Sequence, residues 1–153
     1  MNKLLTALLA IALLPTPAIA QETAEDLVAS MRIADMTYKE LMTIMGRSIS
    51  LMQDGVITQN RELIAQGANL IFTHPAPSHK PWAIMETKED QADFKQALVA
   101  YDVVLDVYAK AVVDASKARN WTDAATSLSH LQSACVSCHL PWKDKAVKIV
   151  SAK

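Results

Sequence analysis

Glycine is scarce in this chain, with three in 153 residues, and cysteine scarcer, with two. Aromatic residues make up only 5% of the chain, and runs of β-branched residues are few. Two cysteines exclude a disulfide framework. They also exclude a closed zinc site, which takes about four nitrogen or sulfur ligands, because His74, His79 and His130 form no second cluster of zinc-site spacing. The formal charge is −1, close to neutral, which gives no basis for binding nucleic acid. No short internal repeat and no low-complexity tract is visible. Ala, Leu, Met, Lys, Glu and Gln are abundant, and these residues favour helix.

The two cysteines fall together, in Cys135-Val136-Ser137-Cys138-His139. C-x-x-C-H is the attachment pattern of a c-type haem. Two thiols add across the two vinyl groups of one haem, and two intervening residues let both sulfurs reach them. The histidine that follows directly is placed to bind the iron through an imidazole nitrogen, leaving the opposite face to a second ligand or open. A thioredoxin-type redox pair is expected beside a strand–helix unit, and none is seen. A disulfide between Cys135 and Cys138 would close only a tight loop of low value.

Residues 1–20 read as a secretory signal. Lys3 gives a positive start, Leu4 to Leu14 an apolar run of h-region length, and Ala18-Ile19-Ala20 an A-x-A cleavage site. The run is shorter than the roughly 20 residues of a spanning helix. Cleavage before Gln21 leaves residues 21–153 as one domain, with no stable membrane insertion and a periplasmic location. Removing Lys3 moves the formal charge from −1 to −2.

The rest of the chain predicts helices. The first runs over 24–54, capped by Thr23 with Glu25 and Asp26 in its first turn. Leu27, Met31, Ala34, Tyr38, Leu41, Met45 and Met52 form its buried stripe, Met42 and Ile49 widen it, and Asp54-Gly55 stops it. The second spans 59–73, with Leu63, Ile64, Leu70 and Ile71 inward. A proline-rich loop over 74–88 carries His74, His79, Trp82 and Met85. The third runs over 89–118, capped by Thr87, and buries Phe94, Leu98, Tyr101, Leu105, Tyr108 and Val112. The fourth is capped by Asn120 or Thr122 and carries Ala125, Leu128, Leu131, Ala134 and Cys135 inward. Pro141 should kink or end it, with a short helix over 142–150 to follow. Four amphipathic helices predict an all-α fold, an antiparallel up-down-up-down four-helix bundle with one covalently bound haem in its core.

With C-x-x-C-H near the C-terminus, the chain resembles the cytochrome c prime family and its low-spin relatives. Met45-Gly46 through Asp54-Gly55 resembles the end of that family's first helix. Lys80-Pro81-Trp82 with Ala92-Asp93-Phe94-Lys95 resembles the approach to its third. The resemblance spans most of the mature chain and implies a four-helix bundle, one haem, a periplasmic location and dimerisation through the first two helices. Leu140-Pro141-Trp142 and the long tail depart from the family pattern.

The family divides on the sixth iron ligand. A helical rise of about 1.5 Å per residue puts Tyr38, Met42, Met31, His74 and Tyr101 within a turn or two of His139. Met42 and Met31 lead as thioether donors. Methionines in such a helix also serve as adaptable core filler. Met36 fits an R-x-x-x-M pattern from Arg32 but sits off the stripe. His74 is a second imidazole at that level, or a capping residue. Tyr38 is the alternative, an aromatic lid over an open iron. His79 and His130 read as surface or structural residues. Lys143, Lys145 and Lys148 form a solvated face that could guide an acidic redox partner. Methionine-rich helix one and His74 favour an electron carrier acting with redox partner proteins. The alternative is a five-coordinate protein that binds NO or CO. Nothing assembles a distal acid–base pair, so an enzyme is not expected.

Overall fold

The computed structural model describes residues 23–147. Among them five α-helices carry nearly all the regular structure: α1 (Ala24–Ser30), α2 (Tyr38–Ile57), α3 (Arg61–Phe72), α4 (Lys88–Lys117) and α5 (Trp121–Val147). Strands β1 (Ile33–Ala34) and β2 (Ala76–Pro77) pair in parallel, and a 3-10 turn covers Pro81–Ile84. The molecule is an all-helical bundle in which α2 packs on α3 and α5, and α4 packs on α3 and α5. Residues 1–20, the expected signal, lie outside the described residues, as does Lys148.

Local chemistry sets most helix starts. Thr23, Asn60 and Thr87 each accept a hydrogen bond from a backbone N–H in the first turn that follows. Of the two candidates for α5, Asn120 caps: its Oδ1 accepts from Asp123 N at 3.2 Å.

The first helix is not continuous over 24–54. It ends at Ser30, and the chain runs extended through β1 before α2 begins at Tyr38. Thr37 and Glu40 explain the restart. The Thr37 hydroxyl accepts from Glu40 N at 3.2 Å, and the Glu40 carboxylate accepts from Thr37 N at 2.7 Å. This reciprocal capping box satisfies two orphan donors at once.

Asp54-Gly55 does not stop α2, which continues through Ile57. Gly55 is there for proximity: a Cβ on it would lie 2.7 Å from Ile64 Cγ1 and 2.8 Å from Asn60 O. The turn is made instead by Gln59 at φ 54°. Nor does Pro141 end α5, which runs on to Val147. The proline removes one donor late in the helix, and the last turns are anchored to the start of α4. Trp142 meets the Phe94 ring edge-on at 5.3 Å, and Lys145 Nζ donates to Asp90 Oδ1 at 2.5 Å. Along α5 Leu128, Leu131 and Ala134 are buried as expected, and only the first position differs: Ala124 is buried and Ala125 exposed.

The apolar interior falls into two clusters. The larger joins Leu41, Met45, Met52, Ile64, Ile71, Val112, Leu128 and Leu131. Each such side chain, fully buried, stabilises by about 1.5–3 kcal/mol. Met36, expected off the buried stripe, is half-buried and packs against this cluster. The smaller cluster gathers Ala24, Val28, Ala76, Trp82, Met85 and Phe94, and so ties α1 and the loop before α4 to the base of α4. Tyr38 packs against both.

Candidate functional site

Cys135 and Cys138 lie three residues apart on one continuous turn of α5, with His139 next along it. The buried residues of this helix are Ala124, Leu128, Leu131 and Ala134. At 100° per residue, both cysteines fall on that inward face and His139 on its flank. Both thiols are free and half-buried, and His139 is exposed. His139 makes no hydrogen bond or ion pair with any described residue, so neither ring nitrogen is committed. Burial pushes the Cys135 thiol above its ordinary value, against a smaller opposing pull from its own backbone. Burial, and then the neighbouring Cys135, push Cys138 up to about 11.

The charge that Cys138 would carry reaches Tyr38: burial, followed by the charges of Cys138 and Asp102, drives its phenol well above the ordinary value of 10.0. The ring is half-buried, as are the two thiols, and it meets the ring of Phe94 edge-on at 5.9 Å. The Tyr38 hydroxyl has no hydrogen-bond partner among the described residues.

Met42 follows Tyr38 by one turn of α2 and is half-buried against the larger cluster. α2 packs on α5, and between them Gln132 Nε2 donates to Gln53 Oε1 at 3.3 Å. Met31 caps α1 and packs against the smaller cluster, which Tyr38, Leu98 and Trp142 also border. Tyr101 is half-buried on α4.

His74 is already occupied. Its Nε2 lies 3.4 Å from Asp102 Oδ1 and its Nδ1 3.2 Å from the Pro75 carbonyl. Burial pulls its pKa down, but the Asp102 hydrogen bond, the Pro75 carbonyl and the charges of Asp102 and Asp106 outweigh burial and raise it. Asp106 is itself raised, by burial and then by Asp102. Neither carboxylate was legible from sequence as a partner, because they come from a helix some thirty positions away. An i, i+4 pair of acids on one helix face was the available signal.

The other candidates are structural. His79 is exposed and 3.7 Å from Asp35; His130 stacks tilted on Tyr108 at 5.4 Å. Lys145 is spent on Asp90 and lies over the Trp142 ring at 5.2 Å. Of the three lysines expected to guide an acidic partner, only Lys143 is a described, exposed residue without a partner.

This donor set has the chemistry for a covalent haem: two half-buried thiols on the inward face of α5 and an uncommitted imidazole next along the helix. Among the described residues no three His, Cys, Asp or Glu side chains converge to hold a bare metal ion. A haem asks for only one protein donor on each face of its iron. Among the described residues no helix is long and apolar enough to cross a membrane. No family model, curated protein or solved structure matches the chain.

Proposed function

We propose that this protein is a periplasmic c-type cytochrome that carries electrons on one haem. Cys135 and Cys138 hold the haem covalently, and His139 binds its iron. The observation that carries the reading is C-x-x-C-H on a single helical turn, with both thiols half-buried on the inward face of α5 and the imidazole left free. In this reading α2 to α5 form an antiparallel up-down-up-down four-helix bundle, supported by the ring of contacts α2–α3–α4–α5–α2. The resemblance to the cytochrome c prime family points the same way.

The haem supplies reversible one-electron chemistry. The chain's own residues do the rest. His139 donates a nitrogen lone pair. Phe94, Tyr38 and Leu98 exclude water on the inner side. Met42 is the thioether we favour for the sixth position, since it follows Tyr38 by one turn of α2, a helix packed on α5, while both His74 nitrogens are engaged.

A second reading is favoured by Tyr38. Its half-buried ring has an unpartnered hydroxyl and feels the charge Cys138 would carry, and in this reading it would roof an open iron that binds NO or CO. One experiment separates the two: absorption spectra of the exported protein, oxidised and reduced, with and without CO. A low-spin spectrum unmoved by CO supports the carrier. A high-spin spectrum that shifts with CO supports gas binding. Covalent haem that survives Cys135→Ser with Cys138→Ser, or a normal spectrum in His139→Ala, rejects the assignment.

A further inference from the structure

The inward face of α5 turns small just where it carries the thiols. Leu131 is its last large buried side chain before them; Ala134, Cys135 and Cys138 follow, and the next large inward residue is Trp142. At a rise of about 1.5 Å per residue, Leu131 and Trp142 stand about 16 Å apart along the axis. At about 100° per residue, Trp142 returns to the bearing of the buried Ala124, which lies between the bearings of Cys138 and His139. These two are its i−4 and i−3 neighbours, which share a helix surface with it. A long helical side chain leans toward the N-terminus and covers the turn before its own Cα. For Trp142 that turn holds the second thiol and the imidazole.

The indole is half-buried and held from two directions. Phe94, only 1% exposed, meets it edge-on at 5.3 Å, and Lys145 Nζ lies over it at 5.2 Å. Asp90 fixes that ammonium at 2.5 Å and balances its charge. The indole also borders the smaller apolar cluster, as Tyr38 does from α2.

We propose that Trp142 is a haem-contacting residue: its indole closes the C-terminal end of the haem site, keeps water from the Cys138–His139 side and so holds the reduction potential up. The proposal rests on the haem reading above. Ferric iron carries one more positive charge than ferrous iron, and burial penalises the more highly charged form. Covering this turn with an indole therefore favours the reduced state. Lys145 and Asp90 form a neutral pair, so excluded water rather than a fixed charge produces the effect. Reduction adds one electron from an external donor protein, with no proton or group transferred.

The test uses the haem-loaded exported protein. Its spectrum is taken first: without covalent haem the functional reading falls, and this proposal with it. With haem present, the ratio of reduced to oxidised protein is read at a fixed poise near the wild-type midpoint. Trp142→Ala should lower that ratio by about threefold or more, and Trp142→Phe by less, because the smaller ring still covers part of the turn. If Trp142→Ala does not accumulate, Trp142→Leu takes its place, apolar but without a ring. Val112→Ala is the stability control. Val112 is fully buried in the larger cluster near the other end of α4, so this variant should loosen the fold and leave the ratio unchanged. A second readout uses the wild-type fold. In the reduced, CO-treated protein the indole signals of Trp142, assigned by their loss in Trp142→Phe, should be displaced by the haem ring current. Those of Trp121, at the start of α5, should not.

An unchanged ratio without the Trp142 ring, an equal fall in Val112→Ala, or undisplaced Trp142 signals would overturn the proposal while leaving the covalent haem in place.

Discussion

The Ser48 hydroxyl donates a 2.7 Å hydrogen bond to the carbonyl of Gly67, joining α2 to α3 at a point where Ser48 is fully buried. The helices meet here because Gly67 has no side chain. A Cβ on it would stand 2.7 Å from Ser48 O and 3.0 Å from Met52 N, both backbone atoms that cannot turn aside. Gly67→Ala should therefore destabilise by about 2 kcal/mol or more, since overpacking forces the backbones apart. Ser48→Ala removes this bond while the Gly67 carbonyl keeps its acceptor role within α3, and should cost about 0.5–1.5 kcal/mol. Urea unfolding followed by helical circular dichroism checks both, and a Gly67→Ala midpoint equal to wild type would contradict the close approach.

His74 and Asp102 should make stability depend on pH. The folded histidine has a raised pKa, above its ordinary 6.5. Its contribution is then fully present below the unfolded value and is lost as pH rises through the folded one. Histidine is the group that titrates in about the pH 5–8 range. The urea midpoint should fall across the upper part of that range, and Asp102→Asn should flatten the fall. A profile identical in wild type and variant would remove the ion pair from the account.

The same contacts predict a spectroscopic result. His74→Ala should leave the haem spectrum, and its response to CO, as in wild type, because both ring nitrogens are already held by Asp102 and Pro75. Met42→Ala should open the iron to CO. CO binding gained in His74→Ala and not in Met42→Ala would reverse the assignment.

Pro141 interrupts the hydrogen bonding of α5 without ending it. Pro141→Ala restores a donor, so stability should rise by about 1 kcal/mol, less than the full penalty of a mid-helix proline because only two turns follow. Thermal unfolding measures it. A loss would mean that the Phe94–Trp142 contact depends on the bend.

Most of the bundle could be read in advance because its signals are local. Thr23, Asn120 and Thr87 mark helix starts, and α3 and α4 fall within two residues of their apolar periodicity. The break after Ser30 was hidden by a coincidence: Leu27, Met31, Ala34 and Tyr38 keep helical spacing straight through an extended segment that has neither proline nor glycine. The overlooked signal is Thr37-x-x-Glu40, a capping box inside an apparently unbroken stripe. Gly55 deceived in another way, since a glycine after Asp looks like a stop signal when its use is to admit Ile64. At the site, the C-x-x-C-H turn is contiguous in sequence and therefore visible. The Asp102–His74 pair and the reach of the Cys138 charge to Tyr38 depend on how helices lie against each other, which periodicity does not specify.

The capping box also orders events in time. α2 is closed at its start by its own residues and packs chiefly on α3, its neighbour in sequence. The α2–α3 pairing joins neighbours in sequence, so it can begin to form while the remainder of the chain is still being synthesised, and its apolar face is covered once Val112, Leu128 and Leu131 follow. α1 and β1 cannot: their partners are Ala76, Phe94 and Lys95, which come later. The first helix in the sequence is therefore among the last to settle, and it closes over the base of α4 only after α4 exists.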